Sequence, residues 1–405
     1  MLSYDYTKDL LNLQDAIIDK IENLSGTVKI HIHLPVKSHY CKECHHNTNY
    51  VHDYRIRTIK DISAFGKNVL LLYKQRRYVC KHCGKRFSEE NSFSPKYYRI
   101  TKRLLFDIFQ KLENTYSFTD VAKMSNVSVS TVIRFFDILS YRPPKKLPDV
   151  IAIDEFKGNT GKEKYQAIIT DPQNKLVLDI LPDRKISHLT AYMKQWNRTE
   201  RAQVKYFVSD MWKPYADLAS TYLKNAVPLV DKYHYIRQII WAFERVRKTI
   251  QKKYGKENRL LFKHSKRLLT MRKAKLSPEQ LEQVEYLLYL SDDLRSAYFL
   301  KEKFYDIIDC KDRNLAKELM YQWILLAQAS RLTDYNKCAD TLQNWAKPIL
   351  NTFQYPFTNG FTEGCNNKIK VLKRNAYGYR NFTRFRNRIL HIFHHKHFAI
   401  EKVAA

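Results

Sequence analysis

The chain has 405 residues, 44% hydrophobic and 28% charged, a composition with room for two or three buried cores and unlike that of a disordered protein. Its 71 Lys and Arg against 41 Asp and Glu leave a net charge of +30, which favours a polyanion as partner through phosphate contacts. No apolar run approaches the roughly 18 residues of a membrane span, and four of the seven cysteines fall in two CxxC pairs, which suits a metal in a reducing compartment better than disulfides.

The first stretch, "MLSYDYTKDLLNLQDAIIDKIENL", places Leu10, Leu13, Ile17, Ile21 and Leu24 at helical spacing and predicts a helix. Its five acids argue against a signal peptide. Cys41-x-x-Cys44 and Cys80-x-x-Cys83 follow, 35 residues apart, and offer the four thiolates of a closed structural zinc site. Between them "YRIRTI" and "NVLLLYKQRRYV" read as strands. His31, His33, His45, His46 and His82 lie close by; any of them suits a thiolate's place, but they are read as surface groups or as groups behind the ligands. Residues 1–96 are therefore read as an N-terminal helix plus a zinc ribbon-like finger.

In residues 97–148, Ser117 followed by Asp120 forms a capping-box signature before an apolar-periodic helix. "SNVS" then breaks the chain, and Ser128 caps a second helix to about Ser140. Two short helices across such a break suggest a helix-turn-helix, with Val132, Phe136 and Leu139 inward and Ser130, Thr131 and Arg134 outward, toward DNA. Three prolines in "YRPPKKLPD" mark a linker.

Residues 149–231 carry 12 basic and 11 acidic residues, near neutrality in a basic chain. "DVIAIDEF", "YQAIITD" and "KLVLDIL" read as three strands, a helix follows over about His188 to Trp196, and "VKYFVSD" and "AVPLVD" add two more strands. Asp154 lies in or at the end of the first apolar run, where a desolvated carboxylate is expensive unless paired or metal-bound. Asp210 ends the fourth strand, although an aspartate in either place also serves simply to enter a turn or cap a helix. The strand-strand-strand-helix-strand order matches an RNase H-like fold, in which the first and fourth strands are neighbours and bring such carboxylates together.

Residues 232–357 are helical in periodicity and poor in strand patterns, which reads as an all-helical insertion. Its opening part, residues 232–275, has 15 basic residues against 2 acids and suits a DNA track. Trp212, Trp241, Trp323 and Trp345 are read as core residues rather than as platforms for unpaired bases. Residues 358–405 complete the catalytic core and end in a basic tail. There Glu363 heads a predicted helix, Phe361 to Arg374, whose Asn367, Lys370 and Arg374 share its face, and ten cations follow from Asn366 onward against one acid, Glu401. Three carboxylates, Asp154, Asp210 and Glu363, suffice for two Mg²⁺ ions about 4 Å apart, with basic surface around them for a phosphodiester substrate.

Together "CKEC…CKHC", "AIDEFKG", "FVSDMWKPY", "VDKYHYIRQ" and "TNGFTEGCNNKIKVLKRNAYGYRNFTRFRNRI" resemble bacterial insertion-sequence DDE transposases of the ISL-three family over nearly the whole chain. The resemblance implies a multidomain α+β protein: zinc module and helix-turn-helix, then an α/β RNase H-like domain interrupted by the helical insertion. It implies a catalytic triad of Asp154, Asp210 and Glu363 on Mg²⁺ or Mn²⁺, with structural Zn²⁺ on Cys41, Cys44, Cys80 and Cys83. Asp231-x-x-His234 resembles the acidic-x-x-His signature of transposases with a helical insertion. Lys370, Lys373, Arg374 and Arg380 are expected on the DNA backbone, beside Ser130, Thr131 and Arg134. The expected partners are double-stranded DNA, both element ends and target, and a second copy of the chain, on the bacterial nucleoid in the cytoplasm. A catalytically inert DNA-binding regulator and a structure-specific nuclease without strand transfer are the alternatives.

Overall fold

Turn chemistry builds the first sheet. In the computed structural model, which describes Leu13, residues 15–161 and residues 163–393, β1 (Ile17–Leu24) and β2 (Thr27–His33) form a hairpin across Ser25-Gly26, with Gly26 at φ +73°. The predicted N-terminal helix is therefore corrected over Ile17–Leu24; its earlier part, residues 1–12, lies outside the described residues. The helical spacing of Ile17, Ile21 and Leu24 is coincidental, because these three side chains are exposed. The β-branched isoleucines and the Ser-Gly turn favour strand pairing instead. The short pair β3 (His39–Tyr40) and β4 (Asn47–Thr48) precedes a second hairpin, β5 (Val51–Ala64) and β6 (Lys67–Val79), which turns at Phe65-Gly66, where both residues have positive φ. β2 runs parallel to β6, giving the order β1-β2-β6-β5 with β7 (Arg86–Ser88) antiparallel to β6, and Ile30, Ile32, Ile59, Leu71 and Tyr73 fill the core on the sheet.

The chain divides into two units, Met1–Arg142 with Ile369–Ala405, and Pro143–Lys368. In the first, α1 (Lys102–Leu112), α2 (Phe118–Met124) and α3 (Val129–Phe136) follow the sheet. Ser117 and Asp120 make the predicted capping box, and Ser128 caps α3 through the Thr131 N–H. Asn126 turns the chain between α2 and α3 at φ +49°. Val132, Phe135, Phe136 and Leu139 are buried; α3 ends at Phe136, four residues short of the expected end.

The helix Phe382–Phe393 groups with this same unit. Its cations explain why. Arg388 is fully buried and donates to the carbonyls of Asn114 (2.7 Å) and Tyr116 (3.0 Å). His391 donates through Nε2 to the Phe109 carbonyl, and Arg384 pairs with Asp137. Part of the basic tail is thus internal structure; Lys396 and Lys402 lie outside the described residues.

The second unit is a mixed five-stranded sheet plus a helical array. β8 (Val150–Phe156), β9 (Gln166–Asp171) and β10 (Leu176–Leu181) are antiparallel neighbours, and β11 (Tyr206–Ser209) and β12 (Val227–Val230) continue in parallel from β8, for an order β10-β9-β8-β11-β12. One face carries Ile151, Ile153, Ile169 and Phe207 against helices α4 (Ile186–Met193) and α6 (Lys213–Tyr222), with the short helix α5 (Arg198–Ala202) between them in sequence. The other carries Val150, Ala152, Val208 and Leu229 against Tyr355 and Phe357. From Lys232 to Asn351 the described chain is helical, beginning with α7 (Lys232–Lys253), and packs its own core around Phe243, Leu294, Phe304 and Trp323. Among the described residues no helix is long and apolar enough to cross a membrane.

Candidate functional site

The parallel pairing of β8, β11 and β12 sets three residues in one row: Ala152, Val208 and Leu229. Two residues further along each strand stand Asp154, Asp210 and Asp231. A strand's alternation repeats every two residues, so the face bearing Ala152, Val208 and Leu229 runs on toward Asp154 within β8 and toward Asp210 and Asp231 directly after β11 and β12. The apolar runs that precede them are forced inward, and they carry the carboxylates into partial burial.

Electrostatics shows the consequence. Burial pushes Asp154 up to about 7, and the charges of Asp210, Glu155 and Asp231 add to the rise, against the Glu155 N–H that donates to its carboxylate. Burial also lifts Asp210 to about 6, with Glu155 adding to the rise while the Trp212 N–H and the cations Arg184 and Arg237 oppose it. Each carboxylate is short of positive charge. Hard oxygen donors, desolvated and crowded, fit a divalent cation such as Mg²⁺, which supplies the missing charge.

Glu363 lies in the first turn of the helix Gly360–Asn375, half-buried, where the helix dipole favours an acid. Two contacts seat that helix on the sheet. Thr362 and Thr170 exchange a buried hydroxyl hydrogen bond of 2.8 Å, and Thr170 is the cross-strand partner of Ala152. Asn366, one turn beyond Glu363, donates through Nδ2 to Asp154 Oδ2 at 2.9 Å. At the helix start Asp231 Oδ1 accepts the Asn359 N–H (3.4 Å), so Asp231 holds the segment that leads into Glu363. The helix that bears Glu363 is thus tied to β8 and β9 of the sheet through Asn366 and Thr362.

His234 sits in the first turn of α7. Burial, then Arg237, lowers it below the usual histidine range, and Arg237 lies 3.3 Å from its Nδ1, as a donor to neutral imidazole. Asn366, Thr362, Asn359 and Arg184 were not singled out by sequence. The spacing of Glu363 and Asn366, three residues apart on a helix, was the available signal for Asn366. Arg184 ion-pairs with Glu155 (2.6 Å) and lies over the Trp212 ring.

The expected DNA-contact residues are mostly outward. Ser130, Arg134, Lys370, Arg374 and Arg380 are exposed; Lys373 is half-buried, and Thr131, also half-buried, spends its N–H and hydroxyl on the Ser128 cap. Arg134 lies over the Tyr98 ring.

The four zinc-motif cysteines converge, with Sγ separations of 3.5 Å for Cys41–Cys83, 3.5 Å for Cys44–Cys80 and 3.4 Å for Cys44–Cys83. The knuckles are built alike. The N–H of His45 returns to the Cys41 carbonyl and that of Gly84 to the Cys80 carbonyl, with both His45 and Gly84 at positive φ. Backbone N–H groups of Cys44 and Glu43 hold the Cys41 thiol down to about 6, which favours the thiolate a metal needs. The cluster fits structural Zn²⁺. Cys44, His46 and His82 also lie within ligand reach of one another, the two imidazoles stacked at 3.8 Å.

Comparison with known proteins gives a family for both parts of the chain. A transposase family profile, DDE_Tnp_ISL3, matches residues 151–389, and a zinc finger of the transposases IS204/IS1001/IS1096/IS1165 matches residues 37–83. The transposase for insertion sequence element IS1001 of Bordetella parapertussis is 27% identical over 369 residues, 89% of this chain and 90% of that one. The transposase for IS1557 of Mycobacterium tuberculosis is 20% identical over 57% of each chain. A Lactococcus lactis protein described as an ATP-dependent protease is 37% identical over 107 residues, only 26% of this chain and 33% of that one, too short a match to carry its description across. The profile covers more than half of the chain and the IS1001 relative covers nearly all of it, and the chain therefore belongs to the ISL3 family of DDE transposases.

Proposed function

We propose that the chain recognises the ends of an insertion sequence and cuts and joins DNA there, with Asp154, Asp210 and Glu363 as its catalytic triad in an RNase H-like domain. The observation that carries this reading is the register row of aspartates on parallel strands, tied by Asn366 to the helix that bears Glu363. Bound divalent cation, Mg²⁺ or Mn²⁺, supplies charge for activating the attacking oxygen and stabilising the leaving one. Asp154, Asp210 and Glu363 would hold it. Asn366 fixes the Asp154 carboxylate by its amide, and Asp231 fixes the chain entering the Glu363 helix. His234, kept neutral by burial and Arg237, adds no charge to the site.

End recognition is assigned to the first unit. There α2 and α3 act as a helix-turn-helix, with Ser130 and Arg134 on its outward side, braced by the zinc module and by the C-terminal helix. Residues 1–148 hold 25 basic against 14 acidic residues, so phosphate contacts contribute sequence-independent affinity. Two element ends call for at least two copies of the chain.

The test is a labelled duplex carrying one element end, incubated with full-length protein, Mg²⁺ and a target plasmid. Wild type nicks at the element boundary and gives joined product; Asp154→Asn and Asp210→Asn give neither, with rates down by several orders of magnitude. Binding without cutting by wild type would favour the inert regulator, and cutting without joined product would favour the nuclease.

A further inference from the structure

The first helix of the insertion does not follow the sequence expectation in one respect. Trp323 is buried, and Trp212 and Trp345 pack on the cores, but Trp241 is 46% exposed. It is not alone. Tyr233, 54% exposed, stands eight residues earlier on α7, and Arg237 lies between them, its guanidinium 5.1 Å from the Tyr233 ring and 4.6 Å from the Trp241 ring. The inward face of the same helix is conventional: Tyr235, Ile239, Ala242, Phe243, Val246 and Ile250 are buried in the insertion core.

The exposed stripe continues. At 100° per residue, Tyr233, Arg237, Trp241, Arg245, Lys248 and Lys252 fall within about 120° of helix circumference, and they run for about 28 Å along the axis. Arg245, Lys248 and Lys252 are all exposed, Arg245 with its Nε paired to Asp334 (2.6 Å). Aromatic rings therefore occupy the start of the stripe and cations its continuation. The aromatic end adjoins Asp231, because α7 starts at Lys232, directly after that residue at the end of β12. Arg237 Nε makes no hydrogen bond among the described residues.

Leaving two large aromatics and a guanidinium stacked at the surface has a use in a chain that handles nucleic acid. A π-face accepts any base, but only one that has left the duplex stack, while cations further along take backbone phosphates. We infer that the Tyr233–Arg237–Trp241 face of α7 captures unpaired nucleotides of the DNA strand at the cut, and that Arg245, Lys248 and Lys252 track its backbone. The partner is single-stranded DNA continuous with a duplex. The inference rests on the transposase reading for its substrate and on these exposures for its site.

The experiment uses full-length protein without divalent metal and two fluorescent duplexes of the same end sequence, one blunt and one with a ten-nucleotide single-stranded extension. Wild type prefers the extended duplex. Trp241→Ala reduces that preference about tenfold, and Trp241→Phe, which keeps a π-face, retains most of it. Binding of the blunt duplex stays the same in both variants, which shows that they are folded. Equal preference in wild type and Trp241→Ala overturns the inference, as does a wild type indifferent to the extension. Failure of the triad would appear as residual cleavage by Asp154→Asn in Mg²⁺, a separate result.

Discussion

Asp154 and Asp210 show how a residue's role is set by where its strand ends. Each follows apolar residues that the sheet buries, and each carboxyl is lifted by that burial, to about 7 and about 6. The consequence for stability has a definite sign. A carboxyl whose folded value is raised binds its proton more tightly folded than unfolded, so metal-free protein loses stability as pH rises from about 4 to about 7. Bound cation reverses this by stabilising the ionised pair. Mg²⁺ is therefore expected to raise the melting temperature of full-length protein more at pH 8 than at pH 5, and Asp154→Asn to flatten the difference. Equal stabilisation by Mg²⁺ at both pH values would contradict the assignment. These two aspartates were legible in the sequence because an acid closing an apolar run is conspicuous. Asn366 was not, because its value lies in helix phase and in one contact across 212 residues of chain.

At the scale of elements, local chemistry was legible wherever it was self-contained. The two CxxC knuckles, the capping box at Ser117 and the strands of the second sheet all follow from short-range pattern, and the structure places them accordingly. The N-terminal strand did not, because Leu10, Leu13, Ile17, Ile21 and Leu24 mimic a helical stripe while the pairing of β1 with β2 decides the outcome. Within the first unit the zinc cluster ties loops that lie 35 residues apart in sequence and share little apolar core. Full-length protein purified without added metal is expected to hold about one zinc per chain by elemental analysis. Its removal by a chelator, with Mg²⁺ then restored, should unfold the module and abolish end binding, since structural zinc contributes about 10 kcal/mol or more. Zinc-free protein that binds ends with unchanged affinity would remove the metal from the account.

For the whole molecule, the sequence indicated a basic chain with a neutral catalytic segment, but not that the chain returns to its beginning. Residues 232–275 and 1–148 carry their positive charge on separate units, while Arg384 and Arg388 spend theirs inside the first. Charge counts show where cations are, and only packing shows which are committed. Glu363, the acid at the head of that basic C-terminal stretch, lies in the first turn of a helix that Thr362 and Asn366 hold against the sheet. Its substitution by Gln keeps the shape and removes the charge that a divalent cation needs. The decisive measurement is Mg²⁺- or Mn²⁺-dependent cleavage of a labelled element end by Glu363→Gln, with binding of the same duplex followed in parallel. The account predicts cleavage reduced by several orders of magnitude with end binding unchanged or slightly tighter; cleavage near the wild-type rate would contradict it.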